Sequence, residues 1–242
     1  MNKKIKILAI VPAFNEMSSI IGVIKDINSS TQEIDVLIID DGSKDNTANV
    51  ALSTGMAEVI SLVTNLGIGG AVQTGFKYAK KNNYDIAIQF DGDGQHIADQ
   101  ISVITSPIAS GEADMVIGSR FIEKHDGWKS SFARRMGIYT FTMLNTVLIG
   151  KKITDSTSGF RAYNKEVIAF LSDYYPQDYP EPETVILLGR NKFRIQEKFT
   201  LMQERTGGKS SISFVGGIYY MIKVMLAMMI TALRSPSREV RK

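Results

Sequence analysis

Short apolar runs alternate with segments of helical period through the first half of this chain, and run after run stops at a turn rich in acid or glycine. No other feature narrows the fold as much, because this is the pattern of a mostly parallel sheet covered by helices. Lys6 to Val11 reads as a buried strand. Ser18 or Ser19 is placed to cap a helix carrying Ile20, Ile21, Val23, Ile24 and Ile27 at helical spacing. Val36 to Ile39 is a second strand, ending in Asp40-Asp41-Gly42-Ser43, and a helix runs from Asp45 to near Gly55. Val59 to Leu62 is a third strand, Gly70 to Lys81 a helix, and Asp85 to Phe90 a fourth strand that runs into Asp91-Gly92-Asp93-Gly94. A helix around Ile101 to Ile108 and a strand from Met115 to Ile117 complete this half.

After Arg120 the alternation stops. Phe121 to Ser131 is polar, holds the only Trp (Trp128) and reads as a mobile loop, and Arg134 to Ile149 is an amphipathic helix. Asp155 to Tyr163 is turn-rich, Tyr174 to Pro182 holds three prolines, and Arg194 to Met202 suits a further strand. At 242 residues, 44% hydrophobic and 22% charged, the chain is large enough for one packed domain without staples. It has no Cys, so oxygen ligands must hold any metal. A net charge of +3 gives no footprint for nucleic acid. The opening apolar run is short and meets Asn15 and Glu16, so it reads as a strand and not as a signal peptide. No stretch reaches the roughly 18–20 uncharged apolar residues that span a bilayer. The expectation is a cytoplasmic body.

Asp91-Gly92-Asp93, directly after an apolar strand, is the strongest chemical signal. Ligands of open α/β sheets bind beyond the carboxyl ends of strands. Two carboxylates one residue apart there suit Mg²⁺ or Mn²⁺, which take few protein oxygens and draw the rest from phosphate and water. Gln95 and His96 are further candidates for the metal or a phosphate; an ordinary Asp-Gly turn also fits the motif. Asp40 and Asp41 can receive hydrogen bonds from a base or ribose, or simply shape a turn before a helix. Asn65-Leu66-Gly67-Ile68-Gly69-Gly70 resembles a phosphate cradle at a helix start, with Asn65 as the polar contact. It follows the third strand and is neither G-x-G-x-x-G nor a P-loop, which disfavours a dinucleotide oxidoreductase.

The ordered set PAFNE (12–16), DDGSKDNT (40–47), NLGIGGAVQTG (65–75), FDGDGQH (90–96), GSR (118–120) and DSTSGFRAY (155–163) resembles the inverting glycosyltransferases of family 2 that act on dolichyl and polyprenyl phosphates. The resemblance covers roughly residues 5 to 210. It implies a single GT-A nucleotide-sugar domain over residues 1–211 and a UDP- or GDP-linked sugar donor. Pro12, Phe14, Glu16 and Asp41 would line the nucleoside pocket, and Asp91, Asp93 and Gln95 would bind the metal and diphosphate. Arg120 and Arg134 or Arg135 would face acceptor or phosphate charge, and Arg205 would close on the diphosphate. Two departures stand out. The glycine segment lacks a basic residue often found in relatives, and Tyr179-Pro180-Glu181-Pro182-Glu183 replaces a phenylalanine-glutamine acidic segment. Glu183 falls where relatives keep a carboxylate, or else is a first-turn helix acid favoured by the dipole.

The implied mechanism neutralises the departing diphosphate with the metal and Arg205, while the acceptor attacks from the opposite face. A hydroxyl acceptor needs a base, with Glu183 the first choice and Glu181 or Asp155 behind it. A polyprenyl phosphate arrives as an anion and relies on Arg120 and Arg134 instead. A glycan-directed transferase and a sugar-nucleotidyltransferase are the alternatives. The second, however, usually opens with a glycine-rich basic loop that PAFNE lacks. Residues 212–242 read as an apolar helix, interrupted by Gly216-Gly217 and Lys223, then the basic residues Arg234, Arg238, Arg241 and Lys242. That is the make-up of an interfacial helix on an anionic membrane surface, at the inner face. Its Met residues fit packing on the domain or a partner equally. A small membrane-protein partner and self-association complete the expected contacts.

Overall fold

Seven strands form one sheet in the order β3-β2-β1-β4-β6-β5-β7. The computed structural model describes residues 4–122, 132–203 and 214–234. The strands are β1 (Ile7–Ala13), β2 (Ile34–Asp40), β3 (Glu58–Ser61), β4 (Ile86–Gln89), β5 (Met115–Ser119), β6 (Arg161–Asn164) and β7 (Ile195–Phe199). All neighbours run parallel except β6, which is antiparallel to both β4 and β5. The helices are α1 (Ile20–Ser29), α2 (Thr47–Ser53), α3 (Gly67–Lys81), α4 (Ile101–Ala109), α5 (Phe132–Ile149), α6 (Lys165–Tyr174), α7 (Pro180–Arg190) and α8 (Phe214–Leu233).

Every residue of β1 is buried, which is why Ile7–Ala13 is apolar without alternation: a strand covered on both faces has no solvent side. Its side chains still alternate between two cores. Ala9 and Val11 meet Ile20, Ile24 and Ile104 from α1 and α4, whereas Leu8 and Ile10 meet Val72, Phe76 and Leu171 from α3 and α6. A Cβ at Gly75 would sit 2.2 Å from Ile10 Cγ2, so α3 lies against β1 at a distance only glycine permits. A third, smaller core joins α5, α7 and α8 through Phe141, Ile186, Val224 and Met228.

The second half departs from the sequence reading in identifiable ways. The stretch taken as turn-rich contains β6, whose four residues are too few to show a period and whose partners are remote in sequence. Pro180 and Pro182, in the stretch marked only by its three prolines, open α7. Proline is tolerated in the first turn of a helix, where no backbone N–H is missed. Ser19 precedes α1 without capping it; its hydroxyl donates to the Gly92 carbonyl at 2.8 Å. Most of the loop holding Trp128 lies outside the described residues. No helix among the described residues is long and apolar enough to cross a membrane.

Candidate active site

The parallel strands β1, β2 and β4 release their chains at one edge of the sheet. Because β6 runs the other way, with Arg161 opposite Gln89, the turn entering β6 arrives at that same edge. The result is a cleft of about 380 Å³ walled by Pro12 near the end of β1, Phe14 and Glu16 just after it, Asp41 after β2, and Asp91 and Asp93 after β4. Thr157 and Gly159 come from the turn before β6, and Glu181 from the first turn of α7.

Asp91 Oδ2 accepts a hydrogen bond from His96 Nε2 at 2.9 Å. A carboxylate only accepts, so that nitrogen carries the proton. His96 is buried, stacked on Phe160 and edge-on to Phe90, and its Nδ1 has no hydrogen-bond partner among the described residues. Burial opposes ionisation of Asp91, but His96, Arg120 and Arg161 outweigh it and hold the carboxyl below its ordinary range. A Cβ on Gly159 would lie 2.6 Å from Asp91 Oδ2; only glycine leaves this carboxylate uncovered. Asp93 Oδ1 accepts the Gln95 backbone N–H at 3.1 Å, fixing the turn that aims both acids. No group of three or more His, Cys, Asp or Glu that could hold a metal occurs among the described residues. Two carboxylates in an open cleft fit a hard divalent cation that completes its shell from phosphate and water.

The wall formed at the ends of β1 and β2 is built by two loops locked together. Asn15, in the left-handed region at φ 57°, accepts the Lys44 N–H at 2.8 Å, and its own N–H donates to Ser43 Oγ at 2.9 Å. Buried Asp41 accepts the Leu66 N–H at 2.7 Å. Phe14 is 44% exposed at the cleft rim, a large apolar ring with a face free for a planar ligand. The glycine segment is engaged with the protein's own groups. Asn65 accepts the Gly67 N–H at 3.1 Å outside the cleft wall, and a Cβ on Gly69 would lie 2.6 Å from the Gln177 carbonyl oxygen. Gly69 serves close packing and Gly67 a left-handed backbone at φ 78°, and what reaches the cleft is apolar: Ile68 and Ala71.

Three expectations for the second half need correction. Asp155 is fully committed. Arg120 grips it from Nε and Nη2 at 2.7 Å each, so Asp155 is not a spare base and Arg120 is not an unpaired cation. Glu183 points away from the cleft, its Oε2 accepting the Thr231 hydroxyl at 2.7 Å. The reason is helical: residues two apart project about 200° apart, so if Glu181 faces the cleft Glu183 must face α8. Glu181 is therefore the carboxyl at hand. Burial raises its pKa, Arg161 opposes this and Asp91 adds to it, for a net rise. Gln89 Nε2 donates to Glu181 Oε1 at 3.3 Å.

Arg161, absent from the sequence-based candidates, is 0% exposed and organises this wall. Its guanidinium donates to the carbonyls of Ser156 and Ser158 at 2.7 Å and of Glu181 at 2.8 Å, joining the turn before β6 to α7. The one sequence signal is an arginine directly between Phe160 and the run Ala162-Tyr163. The Arg134 side chain and all of Arg205 lie outside the described residues.

The family model described as Glycosyl transferase family 2 matches residues 8–171. Over 209 residues the chain is 31% identical to UDP-N-acetylglucosamine–dolichyl-phosphate N-acetylglucosaminyltransferase of Methanococcus voltae, covering 79% of this chain and 83% of that one. It is 32% identical over 170 residues to undecaprenyl-phosphate mannosyltransferase of Micrococcus luteus, covering 67% and 68%. The fold resembles mannosyl-3-phosphoglycerate synthase of Rubrobacter xylanophilus, with a TM-score of 0.69 at 17% identity over 96% of this chain and 78% of that one. Glucosyl-3-phosphoglycerate synthase of Mycobacterium tuberculosis, solved with Mn²⁺, UDP-glucose and phosphoglyceric acid, gives 0.68 at 17% identity, covering 96% and 81%.

Proposed function

Because the chain belongs to glycosyl transferase family 2 and has the GT-A fold, we propose that it is an inverting, metal-dependent transferase that moves a sugar from a UDP- or GDP-linked donor to polyprenyl phosphate at the cytoplasmic membrane face. The observation that carries the reading is the Asp91–Asp93 pair on the cleft wall, kept clear by Gly159. These two residues, with Gln95 beside them, are the proposed ligands of Mg²⁺ or Mn²⁺. The cation, when bound, neutralises charge developing on the leaving diphosphate. Phe14 stacks on the base, while Pro12, Glu16 and Asp41 shape its pocket. Arg120, held by Asp155, adds positive potential at the same mouth, and Arg134 and Arg205 remain proposed contacts for phosphate.

The relatives' names support a lipid phosphate acceptor. One observation favours a glycan hydroxyl instead: Glu181 lines the cleft with its proton affinity raised, as a general base requires. For the membrane, we assign residues 1–211 to catalysis and 212–242 to docking. Tyr219, Ile222, Leu226, Ile230 and Leu233 of α8 and Tyr139, Met143 and Val147 of α5 leave large apolar side chains exposed, with Arg234 at the end of α8. Apolar helices bordered by cations suit an anionic lipid surface. A small membrane protein or a second copy are the competing occupants, distinguished by light scattering in detergent.

The test is transfer from a panel of nucleotide sugars, with and without Mn²⁺, to polyprenyl phosphate or to an oligosaccharide. Chelator-sensitive transfer to the lipid is expected. Transfer to the oligosaccharide alone, with Glu181→Gln lowering turnover about 10²-fold or more, moves the conclusion to the hydroxyl acceptor.

A further inference from the structure

Glu181 and Glu183 leave the same turn of α7 in opposite directions, and only the first meets the cleft. Glu183 is 7% exposed. Its Oε2 accepts the Thr231 hydroxyl at 2.7 Å and its Oε1 the Tyr179 backbone N–H at 3.0 Å. The Glu183 N–H returns to the Tyr179 carbonyl at 3.2 Å. One buried carboxyl thereby joins the residue at which α7 begins to the last turns of α8. On the other side of that turn, Arg161 holds the Glu181 carbonyl and Gln89 holds the Glu181 carboxyl. The turn that presents Glu181 is thus braced by the sheet on one side and by α8 on the other.

Apolar packing also joins α7 and α8, with Ile186, Val224, Met228 and Ala232 packed together. Apolar packing resists separation but is not directional, whereas a hydrogen-bonded pair at 2.7 Å fixes the rotation of one helix against the other. A carboxyl placed in such an interface is costly unless its partners are met, so its presence marks a requirement that a leucine does not fulfil.

We propose that Glu183 is a positioning residue: clamped to Thr231, it sets the rotation of α7 and so the place of the Glu181 carboxyl in the cleft. This rests on the hydroxyl-acceptor reading above, in which the Glu181 carboxyl in the cleft is the base. It also makes α8, which carries the exposed apolar face, a structural support of the reaction site.

Three changes to the whole chain test the clamp. Thr231→Val keeps the shape and removes the hydroxyl; Thr231→Ser restores it; Glu183→Gln keeps both contacts, its amide oxygen accepting from Tyr179 and its amide N–H donating to Thr231. Turnover and donor KM are measured, together with hydrogen exchange at the amides of Glu181, Glu183, Thr184 and Val185. Thr231→Val is expected to lower kcat about 10–100-fold with donor KM little changed, since small misplacements near the chemistry cost this much. The same amides should exchange faster, while those of β1 and β4 do not. Thr231→Ser and Glu183→Gln should stay near the parent in both readouts. Normal exchange and kcat in Thr231→Val overturn the proposal. So does a loss in Glu183→Gln that Thr231→Val does not share, because Glu183 would then act in the chemistry itself. Exchange needs no substrate, so it decides the clamp even if no donor and acceptor pair is turned over.

Discussion

Up to β5, each polar residue that reaches the cleft sits just beyond the carboxyl end of a strand, and its neighbours in sequence are its neighbours in the site. After β5 that correspondence breaks. Asp155 is spent on Arg120 from the far side of the α5 excursion, Arg161 works on backbone carbonyls of two other segments, and Glu183 serves a helix that begins thirty-one residues further on. In a parallel sheet the strand direction alone delivers a side chain to the edge where ligands bind. In the second half the delivery depends on which face of a helix, or which end of an antiparallel strand, the side chain occupies.

The sharpest way to break this contrast is to exchange the roles of its members. Asp93→Ala should lower transfer by about 10³-fold or more, since losing cation binding forfeits several kcal/mol at the transition state, with the circular dichroism unchanged. Asn65→Ala, in the glycine segment, should leave kcat/KM within about 3-fold. Full activity in Asp93→Ala, or a large loss in Asn65→Ala, would reverse the assignment of the two strand-end motifs.

Next in size is the pair that holds the second half together. Arg120→Met leaves Asp155, whose side chain is 0% exposed, without its cation, and should cost about 3 kcal/mol in urea unfolding. Asp155→Asn should cost less, because an amide needs no counter-ion. Equal stability in all three proteins would mean the pair does not brace the turn before β6.

Gly159→Ala probes the seam between the halves, because its methyl would enter the space of the Asp91 carboxylate. Titration of Mn²⁺ by paramagnetic resonance should show affinity reduced about 10–100-fold, as when the support of a metal ligand is disturbed. Unchanged Mn²⁺ affinity removes Asp91 from the proposed ligand set.

The smallest effect expected concerns pH. Glu181 has its proton affinity raised in the fold, so it contributes stability at low pH that is lost as pH rises through the folded value. Glu181→Gln should therefore raise the melting temperature slightly near neutral pH, and the gain should vanish below the ordinary carboxylate range. A gain that grows towards acid pH contradicts the electrostatic account of this residue.

Most of the first half was legible because its signals are local. An apolar run followed by Asp-Gly-Asp marks both a strand and a candidate site, and the structure moves the boundaries of this half by three residues at most. The polar walls of the second half had no such local signal. The residues from Arg161 to Asn164 are too few to show a period, and Pro180 and Pro182 are assigned to no element from sequence although proline is at home where a helix begins.

The chain's own order of residues was enough to determine a mostly parallel sheet, the edge at which its acidic turns gather, and the placing of Asp91 and Asp93 together at that edge, where we put the chemical centre. Only the tertiary structure decided which of two glutamates faces that centre, that Arg120 and Asp155 answer each other, and that a buried arginine holds the far wall. The physical reason is one of range. Strand direction and turn chemistry are properties of a few consecutive residues, whereas the facing of a helix and the partner of a buried charge are settled by what packs against them.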